Sequence, residues 1–266
     1  MQIRAGFEIS IRCDTETPLI ALLDVHPTRA ADLRSAASIR TNHTEPIWKF
    51  TDPFGNTCLR TVAPAGILSL EADFVIDDNG AAGITTNVSE TPIESLPIDV
   101  LPYLLASRYC ETDKLAPVAW SLFGETPRGT ARVQAIIDFV RDHVELGYEY
   151  ASPTLSAWDV YREKRGVFRD CVHLAVAFCR NMNIPARYCS GYLPTIGGDE
   201  DDAPMDFAVW MEAFLGGRWA IFDPCFDTLR PGRVAMAYGR DAADVAIYTS
   251  FGSSSLERFH VFAFQI

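Results

Sequence analysis

The apolar residues of this chain change their repeat once, and that change most constrains the fold. Over the first hundred residues they alternate. In GFEISIRC, Phe7, Ile9, Ile11 and Cys13 face one way and polar residues the other, the pattern of a half-buried strand. PLIALLDV, between Pro18 and Pro27, predicts a more fully buried strand, and ILSLEADFVID alternates again through Leu68, Leu70, Ala72, Phe74 and Ile76. DPFGN, residues 52–56, is turn chemistry, with Gly and Asn tolerating unusual backbone angles. After the proline-punctuated stretch ETPIESLPIDVLP, residues 90–102, the step lengthens. Val133, Ile136, Ile137, Val140 and Val144 recur every three or four residues, which predicts an amphipathic helix with Thr130 as its cap.

SPTLSAWDVYREKR predicts a second, short helix, and residues 168–182 predict one buried helix. At about 100° per residue, Phe168, Val172, Ala175 and Cys179 form one stripe, with Cys171 and Phe178 at its edge. Arg169, Asp170, His173 and Arg180 fall on the opposite side. Asn183 suits a left-handed stop and Pro185 forbids continuation. YCSGYL, FAVWMEAFL, RWAIFD and VFAFQI read as strands. The expectation is an α+β protein: a β-sandwich-like domain over residues 1–100, then residues 101–266 with a helix packed on an antiparallel sheet.

The net charge of -12 repels nucleic-acid backbone and anionic membrane, which excludes both as expected partners. No apolar stretch approaches the roughly eighteen residues of a membrane span, and MQIRAGFEIS lacks a signal peptide's apolar centre. Seven cysteines, an odd number with no C-x-x-C pair, predict reduced thiols in a cytoplasmic setting and no structural metal. The acidic GGDEDDA, residues 197–203, lacks EF-hand spacing and reads as a solvated loop.

Three segments carry a family resemblance. Gly166-Val167-Phe168-Arg169-Asp170-Cys171-Val172-His173-Leu174 is followed by Arg180 and Ile184-Pro185-Ala186-Arg187. Ala208-Val209-Trp210-Met211-Glu212 comes next, then Trp219-Ala220-Ile221-Phe222-Asp223-Pro224-Cys225. In order and spacing they resemble the transglutaminase-like superfamily, and more narrowly its bacterial candidate cysteine proteases, which carry a β region before a papain-like core. The resemblance implies a Cys-His-Asp triad at Phe168, Ala208 and Asp223. Phe168 precedes Pro185 by seventeen residues and Arg180 by twelve, the family's spacings. Only Asp223 matches the family's residue type. The family's cysteine sits at a helix N-terminus, where the helix dipole favours thiolate, and a histidine oriented by the aspartate relays its proton. Phenylalanine and alanine do neither.

Three readings follow. The chain is a cysteine amidase, protease-like hydrolase or acyl transferase with a relocated nucleophile, or a non-catalytic member holding a peptide or small molecule in the old cleft, or an acid–base enzyme without a thiol, using Asp170, His173 or Asp223. Cys171 is the first alternative nucleophile and Cys225 the second; each is equally a core thiol. His173, two residues from Cys171 on a helix, faces away from it and is placed to meet Asp170; it is the first candidate base, ahead of His143, His260, His26 and His43. Phe168, Ala208, Trp210 and Cys225 are expected to line the cleft. Glu212 accompanies the motif, and Arg240 with Asp241 is expected to fix a loop. No cofactor is implied.

Overall fold

A computed structural model describes residues 1–35, 37–80, 87–196 and 205–266. The acidic segment 197–203 lies outside them. The alternating segments form β1 (Gln2–Cys13), β2 (Thr17–Ala21), β3 (Arg40–Thr41), β4 (Trp48–Thr51), β5 (Thr57–Ala63) and β6 (Gly66–Asp77). The DPFGN turn closes as its chemistry dictates: Asp52 Oδ1 accepts from the amides of Phe54 (2.8 Å) and Asn56 (2.9 Å), and Gly55 takes φ +84°.

The longer period gives α1 (Thr112–Phe123) and α2 (Thr130–His143), then β7 (Glu145–Leu146), α3 (Ala157–Glu163), β8 (Arg165–Gly166) and α4 (Phe168–Asn181). Strands β9 (Ala186–Tyr192), β10 (Ala208–Leu215), β11 (Arg218–Phe222), β12 (Val234–Gly239), β13 (Tyr248–Ser250) and β14 (Ser254–Gln265) complete the chain. Gly129, at φ +86°, caps α2 in place of Thr130, whose hydroxyl instead accepts from the Val88 amide at 3.0 Å. Ser156 and Asp159 form a reciprocal capping box at α3. Asn183 stops α4 at φ 61°, as its sequence predicts.

Among the described residues three antiparallel sheets run β14-β1-β6-β3, β13-β2-β5-β4 and β11-β10-β9-β12, and β7 pairs with β8 in parallel. Ile3, Phe7 and Ile11 of the first sheet share one apolar cluster with Leu19 and Leu59 of the second, the sandwich-like packing expected. Tyr192, Val234 and Met236 of the third sheet join that cluster. A division at residue 100 therefore follows chain order only: β13 and β14, beyond it, pair with β2 and β1. The reason is register, since Ile3 to Cys13 match Gln265 to Ser254 along almost the whole strand. No helix of the described residues is long and apolar enough to cross a membrane.

Helix α4 lies at the centre of the second core, with α1, α2 and α3 packed on it and β9 and β10 beneath. Asp170 through Arg180 are all buried, so of the polar side of α4 only Arg169, its side chain 27% exposed, reaches water. Its charged groups are satisfied inside instead, as burial demands. Arg180 donates to the carbonyls of Ala186 (2.9 Å), Leu105 (3.0 Å) and Arg240 (2.6 Å). That one guanidinium fastens the helix to β9 and to two loops.

Candidate functional site

Phe168 is the first residue of α4, after the extended Val167. Asp170 Oδ2 accepts from the Val167 amide at 3.0 Å and its Oδ1 from Arg169 Nε at 2.9 Å, which fixes the helix start. Burial pushes the Asp170 carboxyl up from its usual range, against both of these donors. The Phe168 ring stacks on Phe226 (centroids 5.5 Å, 26°) and meets Tyr148 edge-on at 6.3 Å. Arg230 caps the stack, its guanidinium carbon 4.4 Å from the Phe226 centroid. Phe168, Ala208, Val209, Tyr148, Phe226 and Arg230 line a cleft of about 410 Å³. Trp210 and Cys225, expected in that wall, are not among its lining residues. Trp210 is 1% exposed and packs with Cys189, Ala235 and Tyr238.

The register Met211↔Phe222 sets Ala208 and Asp223 at the same end of neighbouring strands. Asp223 already has a strong partner: its Oδ2 accepts from Arg233 Nη2 at 2.5 Å, with both side chains almost fully buried. Its Oδ1 accepts from the Cys225 amide at 3.0 Å. Burial lowers the guanidinium's proton affinity while Asp223 raises it. The Arg233 guanidinium also approaches the Trp210 ring, 5.8 Å from its centroid. Arg233, Phe226, Arg230 and Tyr148 went unmarked in the sequence reading. The one available signal for Arg233 is a cation set directly before the apolar strand VAMAYG, where burial requires an acidic partner.

Cys171 is 1% exposed and belongs to the helical core. Cys225 is half-buried, and its Sγ lies 3.6 Å from the Phe168 carbonyl oxygen and within hydrogen-bonding reach of the Cys171 thiol. That contact, then burial, then the Asp223 carboxylate push the Cys225 thiol well up. His173 does not meet Asp170. Its ring stacks on Tyr109 (4.9 Å, 6°) and tilts against Tyr188 (5.1 Å), and its Nε2 accepts from the Ala242 amide at 3.1 Å. Burial drives its basicity far below the ordinary value.

The other histidines lie elsewhere. His143 Nε2 bonds the Tyr161 carbonyl at 2.8 Å. His26 rests against Tyr238 with its pKa lowered by burial to about 4. His43 accepts from the Glu45 amide, and His260 sits on β14 near Phe262. Glu212 pairs with Arg187, whose guanidinium also lies over Tyr238 and Trp219. Arg240 pairs with Asp244, and Asp241 accepts from the Tyr109 amide at 2.8 Å, so both fix the loop after β12. Among the described residues no three His, Cys, Asp or Glu side chains converge as a metal site.

A buried helix whose first residue opens onto a cleft is faced there by the ends of two antiparallel strands. The chain belongs to the transglutaminase-like superfamily. The model of that superfamily matches residues 119–224. The solved structure of a candidate cysteine protease from Cytophaga hutchinsonii is 30% identical, with a TM-score of 0.83 over 99% of this chain and 90% of that one. An uncharacterised protein of Mycobacterium leprae is 34% identical over 113 residues, a match spanning 38% of this chain and 39% of that protein.

Proposed function

We propose that this chain is a transglutaminase-like protein whose triad is degenerate, and that its cleft binds a peptide or small molecule without cleaving it. The observation that carries the reading is the Asp223–Arg233 pair. A catalytic aspartate in this role orients a histidine; here its Oδ2 holds a guanidinium, which stays protonated and relays nothing. Ala208, across the cleft, offers no base, and Phe168 offers an aromatic face in place of a nucleophile.

The relocated-thiol and acid–base readings gain little support. Cys171 and His173 are both buried away from the cleft wall, and the His173 nitrogen that accepts is taken by a backbone amide. The cleft itself suits binding. Phe168, Phe226 and Tyr148 give apolar and aromatic contact, and Arg230 supplies one cation at the rim, the composition typical of small ligand sites. A cytoplasmic setting belongs to the same reading, supported by seven free cysteines.

The deciding experiment follows hydrolysis and amine incorporation on a peptide panel, alongside peptide binding by thermal shift, for the natural protein, Cys171→Ser and Phe168→Ala. The expected outcome is no turnover by any of them, with binding to the natural protein that Phe168→Ala weakens. Turnover that Cys171→Ser abolishes would overturn the reading in favour of a moved nucleophile.

A further inference from the structure

The fold brings together two cysteines that stand 54 positions apart in the sequence. Cys225 follows the end of β11, and the Asp223 carboxylate accepting its amide holds it there at 3.0 Å. Its sulfur reaches the first turn of α4, 3.6 Å from the Phe168 carbonyl and against the Cys171 thiol. Exposure within the pair is unequal. Of the seven cysteines, Cys225 alone is not buried; Cys171, like the other five, is. A small reagent meets Cys225 first, and the thiol waiting beside it is Cys171.

We propose that Cys171 and Cys225 form a modification site, a thiol pair that a hydroperoxide converts into an intramolecular disulfide. In the first step the Cys225 sulfur, having given up its proton, attacks the outer peroxide oxygen. The O–O bond breaks, the alkoxide or hydroxide leaves and takes a proton, and Cys225 becomes a sulfenic acid. In the second step the Cys171 sulfur attacks the Cys225 sulfur. The S–O bond breaks and hydroxide departs with the Cys171 proton as water. Two thiols lose two electrons, and the peroxide is reduced to an alcohol, or water, plus water.

The bond ties the loop after β11 to the first turn of α4. Phe226, the next residue along, is then held on Phe168, so the modification fixes one wall of the cleft. This site does not depend on whether the cleft is catalytic. Because the neighbouring thiol, burial and Asp223 all hold the Cys225 proton in place, the first step is slow near neutrality. It accelerates with pH by about tenfold per unit while the thiol remains mostly protonated.

The test treats the native protein with hydrogen peroxide at pH 7 and pH 9, then unfolds and alkylates it for peptide mass spectrometry. The expected product is one linked peptide pair, Cys171 with Cys225, formed faster at pH 9, while the other five thiols remain fully alkylated. In Cys171→Ala the linked pair disappears and Cys225 is trapped as sulfenic acid by dimedone. Should that variant not fold, Cys225→Ala serves, with Cys171 staying alkylated after peroxide. The proposal is overturned if Cys225 runs on to sulfinic acid while Cys171 stays free. It is equally overturned if either cysteine links elsewhere, or if both survive at pH 9 under conditions that fully oxidise glutathione.

Discussion

Arg233 holds Asp223 where water does not reach, their side chains 3% and 2% exposed and their closest atoms 2.5 Å apart. Removing one partner strands a buried charge. Arg233→Met is therefore expected to cost about 3–5 kcal/mol of folding free energy, read from urea unfolding. The double variant Asp223→Leu with Arg233→Met, which strands nothing, is expected to lose distinctly less. Equal losses would mean that the pair is not isolated from solvent.

The same pair governs any attempt to rebuild the triad. Phe168→Cys with Ala208→His leaves the new histidine without its orienting carboxylate, because Arg233 keeps it. Adding Arg233→Gln frees Asp223. The introduced thiol in the triple variant is expected to alkylate at pH 6 at least about tenfold faster than in the double variant, as a depressed thiol pKa implies. No difference between the two would place Phe168, Ala208 and Asp223 outside a common site.

His173 makes stability depend on pH. Burial lowers its folded pKa far below the ordinary value, so the native ring stays neutral while the unfolded one protonates below about pH 6.5. The unfolded state then binds more protons, and stability falls with acidification by up to about 1.4 kcal/mol per pH unit for this group. Above pH 6.5 it contributes no slope. His26, lowered to about 4, adds a second loss in the window from about 6.5 down to 4. His173→Gln is expected to flatten the profile between pH 6.5 and 5, measured by urea unfolding at each pH. An unchanged slope would assign the acid sensitivity to other groups.

Gly6 lies on β1 where the sheet leaves no room for a side chain. A β-carbon there would lie 2.1 Å from the Ala72 carbonyl oxygen and 2.5 Å from the Phe262 ring. The ring can turn but the carbonyl cannot. Gly6→Ala is expected to lose about 1–3 kcal/mol, seen as a lowered Tm, and Phe262→Ala is not expected to rescue it. Full rescue would show that the ring alone sets the limit.

Much of the fold was legible because burial leaves periodic traces. The alternation in β1 and β6 and the step in α2 gave those elements directly, and Asn183 with Pro185 gave the end of α4. Helix α1 carries Pro117 in its interior, which reads as a break rather than a continuation. The pairing of β14 with β1 left no local trace, since register between distant strands is written in neither one. In the site, spacing against Pro185 placed Phe168 at the helix start. It could not show Arg233 reaching Asp223 from ten residues away, nor two separate cysteines touching. The partners of the polar residues on α4 were not legible either, because they are mostly carbonyls and amides, which every sequence has everywhere.

That final pairing also orders events in time. During synthesis β1 emerges before its partner strands, and one of its two edges stays open until β14 follows, 241 residues after Cys13. At about 5–20 residues per second the wait is roughly 10–50 s. Helices α1 to α4 can meet well before then, since their contacts are nearer in sequence. The first sheet becomes the last part to close, and β1 spends the interval as a bare strand edge, open to pairing with a neighbouring nascent chain.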